Sequence, residues 1–105
     1  MKLTKIYADD CEVCRTLGDK AKSLADDNQF DYEELELIEL SNRDTPMRSY
    51  IVSYHIDKDG MVDIPIYVIT NEQGMIQGSS VVKSLEEVEN LIGAWKKWES
   101  LQKPS

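Results

Sequence analysis

Near the middle of the chain, Ile64-Pro65-Ile66-Tyr67-Val68-Ile69 form an apolar run with no polar interruption. A strand with one face in water alternates apolar and polar side chains, whereas a strand covered on both faces does not. The run therefore predicts a central strand with a packed layer on each side, and the rest of the chain has to supply those layers. Asn71-Glu72-Gln73-Gly74 then offers turn residues, and Met75 to Ser80 continue as a more polar strand, so the two segments read as a hairpin.

The covering elements follow from spacing. Leu3 to Ala8 read as a strand, broken by Asp9 and Asp10, which are suited to end a strand and cap a helix. From Cys11 to about Asp27, Cys14, Leu17, Ala21, Leu24 and Ala25 recur at helical intervals, while Arg15, Asp19, Lys20 and Lys22 fall largely on other faces. Between Asp26 and Glu39 there are seven acids and no base, and Leu35, Leu37, Ile38 and Leu40 interleave with Glu34, Glu36 and Glu39. That segment is expected to be an alternating edge strand, its acids solvated and discouraging pairing with other chains. Thr45 before Pro46 caps a short helix carrying Met47, Tyr50, Ile51 and Tyr54 at packing positions, and His55 to Gly60 read as a loop. Ser84 and Glu87 form a capping box for a last helix with Leu85, Val88, Leu91, Ile92 and Trp95 on its apolar stripe. The order is β-α-β-α-β-β-α, an α/β fold with a four-stranded mixed sheet and helices on both faces.

With 105 residues, the chain is expected to form a single domain spanning 1–105, with 102–105 a frayed tail. Twelve Lys and Arg against 20 Asp and Glu give a net charge of -8, which disfavours nucleic acid and anionic membrane surfaces as partners. No apolar stretch is long enough to span a membrane, and the first residues lead into a strand pattern rather than a leader. The expected location is cytoplasmic and the expected state monomeric.

Cys11-Glu12-Val13-Cys14 places the only two cysteines one helical turn apart, after the first strand. A disulfide across so small a ring would restrict the unfolded chain little, so chemistry explains the pair better than stapling. Cys11 at the helix start meets unpaired backbone N–H groups and the positive end of the helix dipole, which favour its thiolate. Cys14 is placed to attack a mixed disulfide between Cys11 and a substrate, releasing reduced substrate and oxidising the pair. Asp9, Asp10 and Glu12 oppose the thiolate by ~1 kcal/mol each at ~6–8 Å, and Lys5 acts in the other sense if it turns toward the pair. A mildly depressed Cys11 pKa and a reducing dithiol are expected.

The chain resembles the thioredoxin and glutaredoxin superfamily over nearly its whole length. The resemblance rests on Cys11-Glu12-Val13-Cys14 after a strand, on Ile64-Pro65 opening a central strand, and on the hairpin with Gly74 and Gly78 before the final helix. It implies a cis Pro65 beside the cysteines and an Ile64 whose backbone pairs with a bound peptide. Pro65 read alone equally fits the first residue of a strand. Asp10 stands where thioredoxins carry Trp, Glu12-Val13 where they carry Gly-Pro, and Lys5 where they bury an acid, while Val82 occupies the place of a groove glycine. Ten residues before Cys11 are expected to be too few for the additional amino-terminal strand and helix of thioredoxins, and no glycine-rich glutathione motif of glutaredoxins follows the hairpin.

The function implied is a thiol-disulfide oxidoreductase acting on disulfide-containing proteins, with no cofactor beyond the Cys11-Cys14 pair and a thioredoxin reductase or glutathione as electron source. Its direction, reducing, oxidising or isomerising, depends on potential and recycling partner. Two other readings are compatible with the residues: a noncatalytic module binding proteins beside Pro65, and a metal site shared by two chains through paired C-x-x-C motifs, since two cysteines and His55 are too few ligands for one.

Overall fold

The computed structural model describes residues 1–8 and 11–102, apart from the side chains of Val13, Cys14, Gly18 and residues 98–102. Eight elements follow in order: β1 (Lys2–Tyr7), α1 (Glu12–Asp27), β2 (Asp31–Glu36), α2 (Leu37–Ser41), α3 (Pro46–Tyr54), β3 (Ile66–Thr70), β4 (Ile76–Val81) and α4 (Leu85–Gln102). The strands form one mixed sheet in the order β2-β1-β3-β4, with β1 parallel to β2 and antiparallel to β3, and β4 antiparallel to β3.

The apolar run lies where its composition requires. Ile66, Tyr67 and Val68 are wholly buried, and their alternation splits them between two cores. Tyr67 and Ile69 join Leu3 against Leu17, Ala21 and Ala25 of α1 and Val88 and Ile92 of α4. Ile66 and Val68 join Ile6 against Leu40 of α2 and Ile51 of α3. Helices thus cover both faces, and β2 is an edge strand, largely exposed.

Local chemistry explains the starts of two helices. Thr45 accepts a hydrogen bond from the Arg48 N–H at 3.2 Å while Pro46 fills the first turn of α3. At α4 the Ser84 hydroxyl accepts from the Glu87 N–H at 3.3 Å, but the Glu87 carboxylate reaches back to the N–H of Lys83, one residue earlier than the capping box predicts.

Gln102, expected in the frayed tail, closes α4, and the rest of that tail lies outside the described residues. Two further sequence expectations are corrected. The acidic strand ends at Glu36, and Leu37, Ile38 and Leu40 belong to α2. Leu37 and Ile38 are consecutive, which breaks the alternation, whereas Leu37 and Leu40 share a helix face and pack on Ile6 and Val68. Tyr54 is not a core residue: at the end of α3 it is 74% exposed, its ring 4.8 Å from that of Tyr50. The order is therefore β-α-β-α-α-β-β-α.

Candidate functional site

Strand register gathers the site. Ile6 pairs with Ile66, and Ile66 with Val81, so the carboxyl ends of β1 and β4 and the amino end of β3 share one rim of the sheet. Cys11, Ile64, Pro65, Val82 and Lys83 follow or precede those strand ends within a few residues. Rims at the carboxyl ends of strands are where open α/β sheets place their chemistry.

Cys11 is the residue on which α1 opens. Its N–H donates to the Ala8 carbonyl at 3.1 Å, and its own carbonyl accepts from the Arg15 N–H at 3.3 Å, the first turn of the helix. The residue is half-buried and disulfide-bonded, and no free cysteine occurs among the described residues. Glu12 begins α1 with an exposed side chain. The expected roles of Asp9, Asp10 and the Cys14 side chain fall outside the described residues. Cys11 immediately precedes a 16-residue helix, whose dipole favours negative charge at its amino end.

Across the rim, the Ile64–Pro65 peptide bond is cis and Pro65 is fully buried. The Pro65 carbonyl accepts from the Val82 N–H at 3.1 Å, extending the β3–β4 ladder by one step. Val82 is wholly buried in the core beneath α1 and α4, so its side chain fills interior rather than lining the surface. Ile64, by contrast, is half-buried, and its carbonyl accepts from the Lys83 ammonium at 2.7 Å.

Lys5 is the least expected member. It is 3% exposed, in register with Glu34 on one side and Tyr67 on the other. Alternation with Thr4 and Ile6 puts it on the face that α1 covers, together with Leu3. Its ammonium meets the Glu34 carboxylate at 3.1 Å and lies 5.7 Å from the centre of the Tyr7 ring. The Tyr32 hydroxyl donates to the same carboxylate oxygen at 3.1 Å. Burial pushes the Tyr67 hydroxyl up to about 12, and the Glu34 charge adds to the effect. Burial raises Tyr32 further, with the Tyr67 and Glu34 charges next in weight.

His55 is not part of this rim. Its Nε2 lies 2.7 Å from the Ser79 hydroxyl, which also meets the Tyr50 hydroxyl at 2.8 Å, on the α3 side of β4. Desolvation lowers its pKa. Among the described residues no group of three or more His, Cys, Asp or Glu is arranged to hold a metal ion, and no helix is long and apolar enough to cross a membrane.

Sequence reasoning passed over Glu34 and Lys83. Glu34 was one acid among many, and only the parallel register shows that it faces Lys5. Lys83 carried a usable signal, a lone base between the last strand and a capping serine.

No protein-family model and no curated protein matches the chain. Among solved structures the fold is that of the thioredoxins. Thioredoxin 1 of Thermosipho africanus superimposes with a TM-score of 0.64 at 23% identity, over 95% of this chain and 99% of that one. A reduced thioredoxin of Schistosoma mansoni gives 0.63 at 17% identity over 88% of this chain and 75% of its own. The thioredoxin of Fasciola hepatica gives 0.61 at 13% identity, over 88% and 77% of the two chains.

Proposed function

We propose that this chain is a thiol-disulfide oxidoreductase that reduces disulfides in other proteins, with Cys11 as nucleophile and Cys14 as resolving thiol. The observation that carries the reading is the placement of Cys11 at the opening of α1, on the rim it shares with Ile64 and Pro65.

The cycle starts from the dithiol. The Cys11 thiolate attacks one sulfur of a substrate disulfide; a Cys11–substrate bond forms, the substrate S–S bond breaks, and the departing thiolate takes a proton from solvent. Cys14, after losing its proton to solvent, attacks the Cys11 sulfur. The Cys11–Cys14 disulfide forms and the second substrate thiol leaves. Two electrons pass to the substrate, and an external donor, a thioredoxin reductase or two molecules of glutathione, returns two to the pair.

Ile64 supplies backbone groups for an extended substrate segment, and the buried Pro65 next to it anchors that segment's docking edge to the core. Lys5 is a positioning residue beneath α1. Because Glu34 answers its charge, the balance at Cys11 is set chiefly by the helix dipole against Asp9, Asp10 and Glu12. That balance yields only a modest thiolate preference and a reducing dithiol.

Insulin reduction driven by dithiothreitol tests the reading. The wild type should accelerate precipitation of the insulin chains and Cys11→Ser should not. An inert wild type would instead favour a noncatalytic protein-binding module, and stoichiometric metal in the purified protein would favour a site shared between chains.

A further inference from the structure

We infer that Lys83 selects substrate segments carrying an acidic residue beside the reactive cysteine. The inference rests on the thiol-disulfide reading and adds a specificity-determining residue to it.

The β3–β4 ladder explains why Lys83 is placed to act. Ile66 pairs with Val81, and Pro65 bonds to Val82, so continuing the register by one residue sets Lys83 opposite Ile64. The backbone does not continue the ladder there. The Lys83 N–H donates to the Glu87 carboxylate at 2.7 Å, at the start of α4. Its ammonium turns to the Ile64 carbonyl at 2.7 Å instead. Among the described residues the Ile64 N–H has no hydrogen-bond acceptor. Ile64 thus presents one open donor and one acceptor held only by a flexible, exposed side chain.

An extended peptide that pairs with Ile64 displaces the ammonium from that carbonyl. The displaced ammonium then needs a new acceptor within reach of the same residue. A carboxylate on the peptide supplies a charge-assisted hydrogen bond, a neutral side chain supplies a weaker one, and a lysine supplies none. Glu12, Asp63 and Glu87 lie close to this rim in sequence and favour basic peptides in general. Lys83 works against that background, so its contribution is read from a ratio of ratios rather than from absolute affinity.

The test uses two disulfide peptides identical except for Glu or Lys next to the reactive cysteine, with the wild type, Lys83→Met and Lys83→Glu. The Glu-over-Lys preference in kcat/KM should fall roughly threefold in Lys83→Met and about tenfold in Lys83→Glu, through KM, with kcat little changed. Kd values for the same peptides with serine replacing cysteine should move in parallel. An unchanged Kd ratio in both variants overturns the role of Lys83. No turnover by the wild type on either peptide overturns the oxidoreductase reading, while the serine peptides still decide Lys83.

Discussion

Removing the two partners of the Lys5–Glu34 pair should have unequal effects on stability. The ammonium is buried and the carboxylate is half in water, with side-chain exposures of 4% and 44% at a separation of 3.1 Å. At an effective dielectric near 20 the gross attraction is ~5 kcal/mol, and the exposed carboxylate reduces it, because water competes for that end. Glu34→Ala leaves an ammonium in the layer beneath α1 without the carboxylate that offsets its desolvation, which should cost about 2 kcal/mol. Lys5→Met puts an apolar chain of similar length into the same layer and frees Glu34 to turn outward, so its cost should stay below about 1 kcal/mol. The double variant should resemble Lys5→Met, not the sum of the two. Urea unfolding followed by tryptophan fluorescence measures this, as Trp95 packs against that core. Equal losses that add in the double variant would refute the argument.

Three further outcomes concern stability. Thr4 buries its hydroxyl without a hydrogen-bond partner among the described residues, so Thr4→Val should gain about 1 kcal/mol in chemical denaturation. His55 titrates below its ordinary value, so the neutral ring contributes stability above about pH 6.5 that is lost as pH falls through the folded value. His55→Gln should flatten that part of the stability profile. Tyr67 is raised to about 12, so its contribution is intact below about pH 10 and lost as pH rises toward 12, and Tyr67→Phe should lessen the loss in alkaline unfolding.

The central strand was legible because a run buried on both faces has no polar positions to hide, and Ile66 to Ile69 are buried on both faces. The start of α3 was legible because Thr45 and Pro46 act on the backbone next to them. The expectation for residues 37–40 failed for a physical reason. Leu35 and Leu37 fit alternation while Leu37 and Leu40 fit helical spacing, and the choice was made by Ile6 and Val68, to which Leu40 packs from far along the chain.

The cysteine spacing and the Ile64-Pro65 step were likewise visible as a pattern. What surrounds them was not. A lysine in a short strand is ordinarily solvated, and nothing near Lys5 in sequence shows that Glu34 meets it 29 residues later. The Lys83 contact to Ile64 depends in the same way on register across β3 and β4.

The most direct test of the central claim is the covalent adduct. Cys14→Ser, reduced and then mixed with a disulfide peptide, should gain the mass of one peptide half, mapped to Cys11 and released by dithiothreitol. The same treatment should leave Cys11→Ser without adduct. Failure of Cys14→Ser to form a mixed disulfide, or an adduct in Cys11→Ser at the same rate, would contradict the assignment of Cys11 as the attacking thiol.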